Sequence, residues 1–331
     1  MGWRENPVLG LLTLTGHTQS AVTALEKTAS GTIRRCEGTI VPADATAGFA
    51  QGCEFTLSGA ALGQALYWKN IGSASSCAFV PIGPVIGWGA VTGGHGPVSL
   101  GGDATEILYD KDISAGDYAL VEHGVCDDND QICGAVVSDG AITLTLTADP
   151  TAGAKQYNYI VLREDITPTW DVFAAGERAC LTADDATIAV TVTGALAGDI
   201  GMATFNATDD NDLVSDVVMT ADTMTITASA DPGADDTHGW DYAVFRKRGT
   251  FKPSHYIAYA GVHTTVGGDD TEVITITGAL ATDIAICKWN TTDDTDTFEK
   301  AVLTANTLTV VLSADPSTTH KLVYAIFREY S

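Results

Sequence analysis

The sequence predicts an all-β protein: an N-terminal β-rich domain over residues 1–86, then three tandem β-sandwich domains over 87–165, 166–249 and 250–331. Three observations predict it. Ala148-Asp149-Pro150 recurs as Ala230-Asp231-Pro232 and Ala314-Asp315-Pro316, at steps of 82 and 84 residues. Each recurrence follows a run in which apolar residues alternate with Thr or Ser. No unit shows a sustained 3.6-residue period.

In chain order, the leader comes first. "GTIRRCEGTIVP", "CEFTLSG", "ALYWKNIG" and "CAFVPIGPVIG" read as strands broken by Gly and Pro turns. Residues 20–30, "SAVTALEKTAS", read either as the start of a short helix or as an extended arm. Arg34, Arg35 and Lys69 make this the least negative part of the chain, and it holds Cys36, Cys53 and Cys77.

The three units then share their landmarks. Asp117, Asp199 and Asp283 keep the same steps, and each unit closes on a Tyr, three apolar residues and an Arg: Tyr159 to Arg163, Tyr242 to Arg246, Tyr324 to Arg328. Coincident anchors of this kind mark tandem duplication of a module far longer than a solenoid repeat. "AITLTLT", "TMTITAS" and "TLTVVLS" have the period of two expected of half-buried antiparallel strands. Before them stand Gly140, Asp222 and Asn306, residue types that tolerate positive φ and suit a tight hairpin with the preceding strand. Further strands are legible at 186–194, 199–206 and 240–248. Some five to seven short strands per unit predict a small sandwich or barrel of immunoglobulin-like size. The Cys and Trp spacing of a true immunoglobulin domain is absent. The linkers at 166–168 and 251–253 carry Pro168 and Pro253 and are expected to restrict hinging. Repetition of this sort is expected to extend reach rather than to build a catalytic centre.

Seventeen basic residues against 42 acidic ones leave a net charge of −25, which repels nucleic-acid phosphates and anionic lipid alike. Nucleic acid and membrane are therefore not expected as partners; a neutral or basic protein surface is. No segment supplies the roughly 20 apolar residues of a membrane-spanning helix. The N-terminus has neither a basic leader with a small-residue cleavage site nor a myristoylation pattern, so an unprocessed soluble chain is expected. The seven cysteines are not repeated from unit to unit, and buried thiols are the preferred reading. A Cys126–Cys133 bridge across an acidic turn is the alternative.

The candidate ligands are the repeated acidic turns: Asp127, Asp128 and Asp130; Asp209, Asp210 and Asp212; Asp293, Asp294 and Asp296. They offer oxygen donors for Ca²⁺ but lack the bidentate Glu and regular spacing of an EF-hand, so a structural turn is preferred to an ion site. Asn206-Ala207-Thr208 and Asn290-Thr291-Thr292 fit a glycosylation sequon, yet are read as a repeated Asn-x-Thr turn. The His residues in "HGVC" and "GGHG" assemble no nucleophile, base and orienting acid. The Asp-Pro pairs read as turn starters, and the recurring Tyr and Arg as a buried ring and a surface or interdomain cation. No catalytic residue and no cofactor is expected.

The run Ala43-Asp44-Ala45-Thr46-Ala47-Gly48 with Ala50, Gly52 and Cys53, and the string from Tyr67 to Cys77, resemble a small β-rich segment of tailed-bacteriophage virion proteins; the resemblance covers roughly residues 31–80. It implies a virion surface role: synthesis in the host cytoplasm, then capsid decoration or cementing. It further implies a leader anchored to the major capsid protein or another virion protein, a homotrimer or symmetry-axis position, and repeats that project or clamp. A competing reading is an adhesin-like or fibre array that binds a host glycan or surface protein, with Trp240 or Trp289 as platforms. A hydrolase is the third reading.

Overall fold

The computed structural model describes residues 22–61, 63–85, 87–96, 104–125, 131–147, 156–179, 186–207, 213–229, 239–249, 251–291, 298–316 and 320–330. The fold is all-β, with no helix among these residues. The leader is a single five-stranded sheet of β1 (Val22–Lys27), β2 (Ile33–Gly38), β3 (Phe49–Leu57), β4 (Tyr67–Asn70) and β5 (Phe79–Pro81) in that spatial order. Only β2 and β3 pair in parallel. Of residues 20–30, where a short helix or an extended arm is expected, those from 22 onward are described, and Val22–Lys27 form the edge strand β1. The leader core gathers Phe55, Trp68 and Phe79 around the thiols of Cys36, Cys53 and Cys77.

Among the described residues, six strands follow in each unit. The first has β6 (Trp88–His95), β7 (Thr105–Tyr109), β8 (Tyr118–Val125), β9 (Ile132–Ser138), β10 (Ala141–Leu146) and β11 (Gln156–Glu164). The second has β12 (Trp170–Ala179), β13 (Thr187–Thr191), β14 (Ile200–Ala207), β15 (Val214–Thr220), β16 (Thr223–Ala228) and β17 (Gly239–Lys247). The third has β18 (His255–Thr264), β19 (Thr271–Thr275), β20 (Ile284–Thr291), β21 (Phe298–Thr304), β22 (Thr307–Leu312) and β23 (Lys321–Glu329). In every unit the alternating strand (β10, β16, β22) is the middle of a three-stranded outer sheet. Its apolar set, such as Met224 and Ile226, is buried beneath that sheet. The hairpin residues behave as their chemistry requires: Gly140, Asp222 and Asn306 have φ of 77°, 60° and 63°.

The other three strands of each unit, β6-β11-β8, β12-β17-β14 and β18-β23-β20, form an inner sheet, and the three inner sheets join into one of nine strands. The joints are short: Trp170 pairs with Ala90, and Val172 with His255. A bulge recurs at Val91, Phe173 and Ala258, next to these joints, and re-aims each first strand. Three residues beyond each bulge, Gly94, Gly176 and Gly261 lie opposite Tyr159, Tyr242 and Tyr324, and the Tyr rings lie over the glycines.

Packing between units is cyclic. β8 lies against β15, β14 against β21, and β20 against β9, so each unit meets the next and the third meets the first. The repeats thus close about a pseudo-threefold axis, and the expected extended array is replaced by a ring. The cause lies in the inner strands, which are buried on both faces. One face of each serves its own sandwich, with Ala203 and Phe205 in the second unit and Cys287 and Trp289 in the third. The other face joins a common core containing Leu120, Met202, Ile286, Leu162, Phe245 and Phe327 from all three units.

The leader sits on one end of the axis. Arg248, paired with Asp171, donates to the Gly83 carbonyl at 2.9 Å, and Val85 N–H donates to Ile166 O at 3.0 Å. Tyr330 from the last unit stacks edge-on against Trp68 of the leader, 5.5 Å between centroids. A Cβ on Gly63 would stand 2.0 Å from the Ile257 carbonyl oxygen, so the leader backbone reaches the body only because that residue is Gly.

Candidate functional site at the repeat axis

The steps of 82 and 84 residues that align the sequence landmarks also align the side chains on the axis. Along β8, β14 and β20 the inward layers are Tyr118, Ile200 and Ile284; then Leu120, Met202 and Ile286; then Glu122, Thr204 and Lys288. Two layers are apolar, and the third holds an acid, a hydroxyl and an amine. Glu122 and Thr204 are each 4% exposed. The Lys288 ammonium donates to the Glu122 carboxylate across the junction of units three and one, and to the Ala203 carbonyl of unit two at 2.7 Å. Thr204 accepts from Cys287 N–H at 3.1 Å and donates to its carbonyl at 3.3 Å.

The neighbouring layer on β11, β17 and β23 is also mixed: Asn158, Asp241 and Val323. Asn158 donates to Val217 O at 2.9 Å, which ties unit one to unit two. Asp241 accepts from Ala285 N–H at 2.8 Å, tying unit two to unit three, and from Asn206 at 2.6 Å. Asn290 donates to Ala135 O at 3.2 Å, tying unit three to unit one. Burial pushes the Asp241 carboxyl up to about 7, against the lowering effect of its two donors. Burial also raises Glu122, with the charge of Lys288 pulling the other way.

A cavity of about 70 Å³ opens here, lined by Glu122, His123, Cys133, Thr204, Cys287 and Lys288 among others from all three units. It is several-fold smaller than the roughly 300–1,000 Å³ clefts that enclose organic ligands. Its thiols are poor nucleophiles: burial pushes Cys133 up to about 11 and raises Cys287 as well. At the leader end, Ser254 and His255 stand 2.8 Å apart, but the Ser hydroxyl donates to Phe173 O, so it accepts from His255 rather than being activated by it.

The sequence-predicted residues fall into two groups, and a third group lies outside them. Asp127, Asp128, Asp130, Asp209, Asp210, Asp212, Asp293, Asp294 and Asp296 lie outside the described residues, as do Cys126, Asp149-Pro150 and Asp231-Pro232. Among the described residues no three side chains are grouped to hold a metal ion. A second group is corrected. The recurring Arg is a partly exposed cation, as expected, but it is not interdomain: it pairs bidentately with the buried recurring Asp of its own unit. Arg163 meets Asp117 at 2.6 and 2.6 Å, Arg246 meets Asp199 at 2.7 and 2.5 Å, and Arg328 meets Asp283 at 2.8 and 2.6 Å. Each Asp also caps its own turn, for instance by accepting from Leu196 N–H at 2.8 Å. Trp240 and Trp289, offered as binding platforms, are 0% and 4% exposed and fill their own cores.

The third group was missed. Glu122, Thr204 and Lys288 carry no motif, and their signal is visible only when "YALVEHGV", "IGMATFNA" and "IAICKWNT" are stacked in register: one inward column changes from acid to hydroxyl to base. No family model, no curated protein and no solved structure matches the chain.

Proposed function

We propose that this protein is a structural subunit of a larger particle, a decoration or cement protein of the tailed-phage virion type. It attaches through its leader and turns the opposite end of its repeat ring outward. The observation that carries the reading is the ring itself: three copies of a module close around a filled core, with a separate sheet seated on one end of the axis.

Charge supports the same polarity. Residues 1–86 contain five basic and five acidic side chains, so the whole net charge of −25 resides on the repeats. A neutral face docks on protein with little repulsion, while an acidic body resists adhesion and self-association. The leader also exposes Tyr67, Ile71 and Ile82, apolar side chains of the kind an interface covers. With three copies in one chain, a single molecule occupies a threefold or quasi-threefold position in this reading, the place otherwise assigned to a homotrimer.

The test is reconstitution. Particles stripped of the protein are incubated with the full chain and with Tyr67→Asp/Ile82→Asp, and bound protein is measured by sedimentation. Binding by the parent and loss of binding by a variant with an unchanged melting temperature is expected. Failure of the parent to sediment with particles would refute attachment. Particles equally heat-stable with and without the chain would leave decoration and remove cementing.

A further inference from the structure

We infer that the Glu122–Thr204–Lys288 layer is a composition lock: it makes the ring accept one copy of each repeat, and rejects rings assembled with a duplicate repeat from a second copy of this chain. This holds whatever the assembled body attaches to.

Duplicated modules face a specific hazard. Their inner faces remain alike, so an inner strand of one chain can occupy the slot meant for another repeat, producing exchanged oligomers. The apolar axial layers do little to prevent it. Leu120, Met202 and Ile286 are unbranched or branched apolar side chains of similar volume, and substitutions among such residues are well tolerated in cores. The polar layer discriminates because its three members are complementary only as a set. A ring with two copies of the first repeat places two Glu122 carboxylates in one buried layer. A ring with two copies of the third places two ammonium groups there. Both leave a desolvated charge without its counter-ion. Strict threefold symmetry could not create the pair at all, since it would put identical groups at all three positions. The Glu122–Lys288 contact therefore requires divergence of the repeats.

The junctions add independent discrimination. Units one and two are joined by an Asn158 side chain, units two and three by the Asp241 carboxylate, and units three and one by Asn290 together with the ion pair. The Lys288 ammonium also reads the second unit through the Ala203 carbonyl, so one side chain reports on both of its neighbours. A buried polar set that fixes partner choice, at some cost in stability, is the role best established for such groups in coiled-coil cores. The linkers complete the device: their shortness assigns the three slots to one chain once the composition is fixed.

The experiment refolds the full-length chain from denaturant at high protein concentration and measures mass by light scattering after size exclusion. In the Glu122→Thr/Lys288→Thr variant all three positions are Thr. It is expected to recover its strand signal and to show a several-fold larger oligomeric fraction than the parent. The charge-exchanged variant, Glu122→Lys/Lys288→Glu, restores opposite charges but loses the bond to the Ala203 carbonyl, and is expected to form less oligomer than the all-Thr variant. An all-Thr variant as monomeric as the parent overturns the inference. So does an all-Thr variant that fails to recover strand structure, because the pair then serves stability and not selection. An exchanged variant that forms as much oligomer as the all-Thr one overturns it as well.

Discussion

Asp241 shows how a single residue at a junction carries pH dependence. It lies opposite Glu177 and Thr204 on the flanking strands, and burial lifts its pKa from 3.8 to about 7. The folded value is above the unfolded one, so the folded chain holds the proton more tightly. The resulting stabilisation is complete below the unfolded pKa and is lost as pH rises through the folded one. A shift of about three units corresponds to at most roughly 4 kcal/mol. Asp241→Asn keeps an acceptor for only one of the two donors and so loses stability at about pH 4, but it is expected to show a smaller fall in melting temperature than the parent between about pH 4 and pH 8, in thermal scans across that range. Glu122, raised in the same direction by burial, leaves a residual slope in the variant. Equal slopes in the two proteins would remove Asp241 as the cause. A second residue-scale expectation concerns Arg246, whose guanidinium pairs with Asp199 and stacks 3.8 Å over the Phe173 ring. Arg246→Ala leaves Asp199 buried and unpaired, a loss of about 3–5 kcal/mol in denaturant unfolding. Arg246→Lys is expected to recover only a minor part, since an ammonium offers neither the bidentate fork nor the flat stacking face.

At the scale of elements, the repeated Gly–Tyr pairing gives a graded series. A Cβ on Gly261 would lie 2.6 Å from the Tyr324 hydroxyl oxygen and 2.8 Å from Cζ; at Gly176 the closest approach to Tyr242 is 2.8 Å, and at Gly94 to Tyr159 it is 3.2 Å. Alanine substitution is expected to destabilise in the order Gly261, Gly176, Gly94, with the first costing about 1–3 kcal/mol as the ring is driven out of place. Denaturant midpoints measure the order, and a reversed order would show that the rings yield freely. The outer sheets were the most legible elements, because Ile142, Leu144, Met224 and Ile226 alternate with Thr and need no knowledge of tertiary contacts. The hairpin residues were legible for the same local reason. The inner strands were seen as strands, but their second buried face was not, since Leu120 and Glu122 on the axis alternate with Val121 and His123 facing inward to the sandwich. A strand buried on both faces loses the alternation that would reveal which residues point where. Asp199 and Arg246 were visible as anchors but not as partners, being 47 residues apart in sequence.

For the whole molecule, duplication established the number of modules while the closure of the ring depended on the inner faces. That difference has a thermodynamic consequence. Modules strung in a row, each with its own core, unfold in separable steps, and loss of the last leaves the others intact. Here Leu162, Phe245 and Phe327 from three units share one core, and each unit covers part of its neighbour's inner sheet. Removing the third unit would expose the axial faces of the other two, including Leu120, Met202 and the Glu122 carboxyl that Lys288 neutralises. The repeats are therefore expected to unfold in one cooperative calorimetric transition, with the van't Hoff and calorimetric enthalpies of that transition in agreement. Truncation after Thr250 is expected to yield a chain that binds a hydrophobic dye and aggregates, not a stable two-repeat body. The third unit also contributes Tyr330 to the leader, where its ring packs edge-on against Trp68. Tyr330→Ala should loosen the leader without disturbing the ring, so hydrogen exchange is expected to accelerate in β4 and to remain slow in β11, β17 and β23. Equal acceleration in both places would mean that leader and ring form one cooperative unit, whereas independent melting of the third repeat would replace the ring with separate domains.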